Sequence, residues 1–184
     1  MSNFILTGTP GSGKTAILRQ LEIHGYAVVE EAATDVIALH HALGHREPWR
    51  DPDFIDRIVD LQRKRQLAVG PMIHRTTFFD RSPVCTLALS RHLALAAPRP
   101  LLDEIDRVLT DHVYERTVFF VRSQGFVQAT AARRISLEDS HVFEQIHEDT
   151  YRSLGFELIA VAPDRLPARV AVVEDVVEGL RRKS

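Results

Sequence analysis

Cysteine is nearly absent. Cys85 stands alone, so the chain can hold neither an internal disulfide nor a multi-cysteine zinc site. An excess of charge is lacking too: Lys and Arg number 23 against 25 Asp and Glu, a net charge of −2, which gives no whole-molecule field for nucleic acid or an anionic membrane surface. No apolar run nears the ~18 residues of a membrane span. The opening Met1-Ser2-Asn3 has neither the basic region nor the cleavage pattern of an export signal. Repeats and low-complexity stretches are missing. These absences predict a soluble, cytoplasmic protein with no nucleic-acid partner and no membrane span. What is present is an ordinary globular balance, 45% hydrophobic over 184 residues, enough for one domain with a sizeable core.

Strand-like and helix-like segments alternate. Asn3 to Thr7 reads as a buried parallel strand, followed by a glycine-rich loop and a helix from about Lys14 to His24, with Ile17, Leu18 and Leu21 on one face. Tyr26 to Val29 is a second strand. Ala32 to Leu43 is a helix with Val36, Ile37, His40 and Leu43 inward. Asp51 is placed to cap the next helix, whose apolar positions are Phe54, Ile58, Leu61 and Leu67. A third strand runs from Ile73 to Phe79 and ends at Asp80. Helices follow over 83–96 and 101–113, the latter burying Leu102, Ile105, Val108 and Leu109. Thr117 to Val121 is a fourth strand. The segment 122–136 is irregular, and Ser136-Leu137-Glu138-Asp139 is a capping-box pattern opening a helix. Phe156 to Val161 is a fifth strand, and Pro167 opens the last helix. This alternation predicts an α/β fold with a parallel sheet and right-handed crossovers.

Gly8-Thr9-Pro10-Gly11-Ser12-Gly13-Lys14-Thr15 fits G-x-x-x-x-G-K-[ST], and it sits between a strand and a helix, where a phosphate-binding loop must sit. Gly8, Gly11, Ser12 and Gly13 let successive backbone N–H groups turn toward phosphate, and the helix adds its positive end. Lys14 reaches the β- and γ-phosphates. The Thr15 hydroxyl is a ligand for Mg²⁺. These residues predict binding of a nucleoside triphosphate, ATP, with Mg²⁺.

Asp80 ends a strand. There it either holds Mg²⁺, acts as general base toward an acceptor hydroxyl, or simply caps the following turn. Arg81 either binds phosphate or substrate or pairs with an acid. Glu30 and Glu31 lie at the carboxyl end of the second strand, where open α/β sheets bind ligands; they either meet an acceptor's hydroxyls or favour a helix N-terminus. Arg133 and Arg134 precede a helix; they either close over the triphosphate and stabilise transferred charge or form a solvated basic pair. Two histidine spacings, His41 with His45 and Glu144 with His147, lack a second matching set, so they read as surface histidines rather than metal ligands. Cys85 reads as a small buried apolar residue.

The P-loop, the run Gly25 to Ala33 with Glu30-Glu31, Leu61-Gln62, Phe79-Asp80-Arg81-Ser82 and Tyr151-Arg152-Ser153-Leu154-Gly155-Phe156 occur in one order along nearly the whole chain. In these the sequence resembles the small AAA-type P-loop proteins related to the ribosylnicotinamide-kinase domain of NadR. The resemblance implies a nucleotide-kinase-like P-loop fold: a five-stranded parallel sheet of order 2-3-1-4-5 between helices, with a lid at about 122–136. It carries phosphate binding onto Gly8 to Thr15, an acidic site onto Glu31 and Asp80, and a lid arginine onto Arg133. Thr34 stands where the family often has Arg, and Thr130-Ala131 where it often has Asp-Gly.

Two functions follow. One is a small-molecule, nucleoside-like kinase transferring the ATP γ-phosphoryl group to a hydroxyl through Lys14, Asp80, Glu31 and Arg133. The other is an NTP-binding regulator or slow NTPase with no such acceptor. A GTPase is disfavoured, since no Asn-Lys-x-Asp motif occurs and Asp80 is followed by Arg81-Ser82-Pro83 rather than by a switch glycine.

Overall fold

The computed structural model describes residues 2–69, 75–123 and 137–183, with the side chains of 137–140 left aside. In chain order the elements are β1 (Asn3–Thr7), α1 (Lys14–Ile23), β2 (Ala27–Val29), α2 (Ala32–Ala42), α3 (Phe54–Ala68), β3 (Thr77–Asp80), α4 (Pro83–His92), α5 (Arg99–Thr110), β4 (Thr117–Val121), α6 (Leu137–Ser153), β5 (Glu157–Val161) and α7 (Leu166–Arg181), with a 3-10 turn at Pro48–Arg50. The strands form one parallel sheet of order β2-β3-β1-β4-β5. No helix among the described residues is long and apolar enough to cross a membrane.

Helices on both faces explain why the inner strands read as unbroken apolar runs. Phe4 and Leu6 point to the side packed by α1 and α7, where they meet Phe78, Phe119, Ile17, Leu21, Val173 and Val177. Ile5 points the other way, to Phe79, Val84, Cys85, Val108, Val118 and Tyr151. The rings of Phe4 and Phe78 stack at 5.8 Å. A third cluster joins α2, α3, α4 and α5 through Val36, Phe54, Ile58, Leu87, Leu101 and Ile105. Cys85 is buried, as its chemistry suggests.

Several expected details differ. α2 stops at Ala42, so Leu43 lies past its end and is 64% exposed. Leu67 and Leu102 are also exposed. α3 presents Phe54, Ile55, Ile58 and Val59 inward, and its last turn carries Leu67 clear of them. α5 starts at Arg99 rather than Leu101, with Pro100 in its first turn, and this phase turns Leu101 inward instead of Leu102. α4 ends at His92, and Ala94 takes a left-handed φ of 53° just beyond. β3 begins at Thr77, while residues 73 and 74 lie outside the described residues. Asp51 does not cap α3: the helix starts at Phe54 and its N-terminal flanking residue is Asp53. The capping-box side chains and Arg133 and Arg134 also fall outside the described residues.

Candidate active site

Parallel strands bring their carboxyl ends to one edge, and the register there sets the site. Leu6 of β1 pairs with Asp80 of β3, so the carboxylate stands beside the strand that feeds the loop. β2 runs along the other side of β3, pairing Val29 with Phe79. This carries the chain directly into Glu30 and Glu31.

The loop itself depends on glycine. Gly8, Gly11 and Gly13 have φ of 136°, 84° and 89°, in the region that side chains rarely adopt. At Gly8 space is closed as well: a Cβ would lie 2.3 Å from the Val121 carbonyl oxygen on β4. Lys14 opens α1 and folds back, Nζ donating to the carbonyls of Gly8 at 3.2 Å and Thr9 at 3.1 Å. It is 6% exposed. Burial, and secondarily the Arg81 charge, pull its ammonium down to about 8, against the opposing pull of Asp80 and Glu31. Thr15 is exposed at the start of α1. The hydroxyls of Thr9 and Ser12 are buried without a hydrogen-bond partner among the described residues.

Arg81 is held in the left-handed region at φ 73°. Its backbone N–H donates to Leu6 O at 3.0 Å, and its Nε meets Glu31 Oε1 at 2.5 Å. Thr34 Oγ1 donates to the other Glu31 oxygen at 2.7 Å. Burial pulls the Arg81 guanidinium down, but its acidic neighbours, Glu31 foremost, outweigh that and hold it above its usual range. Its Nη1 lies 3.4 Å from His147 Nε2 on α6. His147 is fully buried and its Nδ1–H donates to Phe143 O at 2.9 Å, which leaves Nε2 as the acceptor. Burial, then the Arg81 charge, push its imidazole down to about 3. The expectation of a surface histidine therefore fails for His147, whose i,i−4 carbonyl partner lets the ring go inside uncharged. Glu30 points out to solvent and pairs with Arg19. Of the two adjacent acids, then, Glu31 is the one turned to the site.

Behind the loop a hydrogen-bonded chain ties three elements together: Thr7 Oγ1 with Cys85 Sγ at 2.8 Å, Cys85 Sγ with the Tyr151 hydroxyl at 3.2 Å, and that hydroxyl with Ser82 Oγ at 2.8 Å. Burial raises the Tyr151 phenol well above its normal range. Arg169 of α7, 2% exposed, donates to Ser12 O at 2.8 Å from beneath the loop. Sequence reading missed it, because on α7 only the valine stripe is patterned. Beside Asp80 and Arg81 lies a small recess that Glu30, Gln62 and Arg65 of α3, Ser82 and Tyr114 also line. Arg65 fixes the turn into α2 by donating to the carbonyls of Glu30 at 3.0 Å and Glu31 at 2.8 Å.

A glycine loop with a buried lysine, an acid at the end of the adjacent strand and a parallel sheet of order 2-3-1-4-5 define a P-loop protein of nucleotide-kinase-like fold. The chain belongs to the AAA domain family, whose pattern matches residues 3–169. No curated protein is significantly similar in sequence. Among solved structures, deoxyadenosine kinase from M. mycoides with bound dATP superposes at a TM-score of 0.63 and 14% identity, over 97% of this chain and 100% of that one. The same kinase with the products dCMP and dCDP gives 0.62 and 13%, over 96% and 99%. NadR in complex with NAD and AMP-PNP gives 0.66 and 14%, over 95% of this chain and 49% of NadR. At these identities the likeness is one of fold.

Proposed function

We propose that the protein is an ATP-dependent kinase for a small, nucleoside-like molecule, transferring the γ-phosphoryl group to a hydroxyl. The observation that carries this reading is the ion pair of Glu31 with Arg81, both close enough to Lys14 to act on its charge, next to a recess lined by Glu30, Asp80 and Arg81. A regulator that only reads nucleotide state needs no second, acid-lined recess there.

In this reading the triphosphate lies along Gly8 to Thr15. Its oxygens take over Lys14 from the two loop carbonyls. Glu31 accepts the proton of the acceptor hydroxyl. The acceptor oxygen forms its bond to phosphorus as the bridging bond to ADP breaks, and the electron pair leaves on the β-phosphate. Lys14 and Arg81 hold charge that moves outward in the transition state. Arg133, in the lid proposed at about 122–136, adds a cation on closure. The donors Thr15 and Asp80 are hard oxygens that suit Mg²⁺, which when bound neutralises β- and γ-phosphate charge.

The test is ATP consumption by the purified protein against a panel of nucleosides and sugars. Strong stimulation by one class, with a phosphorylated product, is expected. Slow hydrolysis that no acceptor stimulates would instead make the protein a nucleotide-dependent switch.

A further inference from the structure

Away from the phosphate loop, the end of α2 and the turn into α3 gather three side chains of metal-ligating type. We propose that His40, His45 and Asp51 form a site for a divalent transition-metal ion of borderline character, such as zinc. Sequence spacing points to His41 with His45, but His41 is exposed on the other side of α2, and the residue that faces His45 is His40.

The backbone builds this site without help from a metal. Gly44, at φ 90°, reverses the chain, and the His45 N–H donates to His40 O at 2.9 Å. This helix-ending turn lays the second ring over the first, at 5.5 Å between centroids. The 3-10 turn at Pro48–Arg50 then delivers Asp51 to the same spot instead of to the helix cap. Asp51 Oδ2 lies 3.2 Å from His40 Nδ1 and 3.6 Å from His45 Nδ1, and all three ligand atoms fall within 4.8 Å of one another. Zinc–nitrogen and zinc–oxygen bonds of about 2.0–2.2 Å give a tetrahedral edge of about 3.4 Å. The two distances bracket that edge.

His40 supplies the second, independent sign. Its ring is 1% exposed, and its Nδ1, aimed into the cluster, makes no hydrogen bond among the described residues. Asp51 Oδ2 is near enough but off the direction that a hydrogen bond needs, as expected for two ligands that share an ion rather than a proton. His45 and Asp51 are partly exposed, which leaves a path in and a fourth position for water.

Arg57 sets a condition on binding. Its Nη1 donates to His40 Nε2 at 2.8 Å. A guanidinium only donates, so in the metal-free ring the proton sits on Nδ1. To ligate through Nδ1 the ring must move that proton to Nε2, and Arg57 must let go. Asp53 stands ready to keep it, already holding Arg57 Nε at 2.8 Å and Nη2 at 2.6 Å. Arg57 is thus a competitor for the site, and removing it strengthens metal binding.

The experiment titrates the full chain, free of nucleotide, with Co²⁺ alone, read by visible absorption, and then displaces it with Zn²⁺. One equivalent with the intense absorption of a four-coordinate site is expected. His45→Ala, at an exposed position that leaves the fold intact by circular dichroism, should lose about tenfold or more in affinity. Arg57→Ala should gain affinity, and Asp80→Asn should bind Co²⁺ as wild type, separating this site from the phosphate loop. The proposal is overturned if the wild type takes up neither ion at millimolar metal. It is equally overturned if His45→Ala and Asp51→Asn both bind like wild type, or if Arg57→Ala binds more weakly.

Discussion

Binding of a triphosphate should draw a proton from solution, and Lys14 should receive it. In the ligand-free loop its ammonium sits at about 8 against an ordinary 10.5, chiefly through burial. At ~1.36 kcal/mol per pH unit, that difference of 2.5 units is about 3 kcal/mol held against the charged form. Phosphate oxygens in place of the Gly8 and Thr9 carbonyls restore the charge. Uptake should therefore be about one-tenth of a proton at pH 7, half at pH 8 and nine-tenths at pH 9. Affinity should be flat below pH 7 and fall about fivefold from pH 8 to pH 9. The sign for the empty protein is the reverse. The folded-state pKa lies below the unfolded one, so the burial cost is present in full below pH 8 and fades as pH rises toward 10.5, making the fold more stable across that window. Calorimetry of ATP binding in buffers of different ionisation enthalpy counts the protons, and Lys14→Met supplies the control. No uptake at pH 9, or unchanged uptake in the mutant, would refute the argument.

Asp80→Asn should abolish Mg²⁺-dependent turnover while leaving the dissociation constant for the bare nucleotide within a few-fold, because the amide keeps the shape and loses the charge; wild-type turnover at saturating Mg²⁺ would reduce Asp80 to a structural residue. Gly8→Ala should cost about 2–4 kcal/mol in urea unfolding, since a left-handed φ and a 2.3 Å approach to Val121 O coincide there. An unchanged unfolding midpoint would contradict the close packing of the loop on β4. On the proposed reading Arg133→Ala should lower turnover by about tenfold to a thousandfold with little change in ATP affinity, because a cation meeting the phosphoryl group only in the closed complex would serve the transition state. Arg134→Ala and the double mutant complete the series, and three wild-type rates would leave 122–136 an ordinary surface segment.

The phosphate loop and the parallel α/β sheet were legible because both depend on local pattern, while the sheet order came with the family resemblance. Apolar strands ending at Gly8 or Asp80, and helices beginning at Lys14 or Pro83, leave few ways to close a parallel sheet. Helix phase was less legible. Choosing Leu101 over Leu102 needed the start of α5, which lies at Arg99, two residues before the expected one. His147 was illegible for a different reason. A histidine is buried when a backbone carbonyl and a neighbouring donor satisfy both nitrogens, and Phe143 O and Arg81 come from separate parts of the chain. Arg169 likewise gains its role only from the superposition of α7 on the loop. In the candidate site the motif residues were readable and the residues that hold them were not.

The four charges at the heart of the site, Lys14, Arg81, Glu31 and Asp80, sum to zero, and in the empty protein they already attract one another. Such a quadrupole is a poor trap for a simple anion, because sulfate or inorganic phosphate must draw Arg81 away from Glu31 and offers the acid nothing in return. A triphosphate that arrives with its own divalent counterion offers an exchange on both sides, oxygens for the cations and a metal for the carboxylates. On the proposed reading, discrimination against the abundant small anions of a cell comes from this internal neutrality, before any contact with a nucleoside base is made.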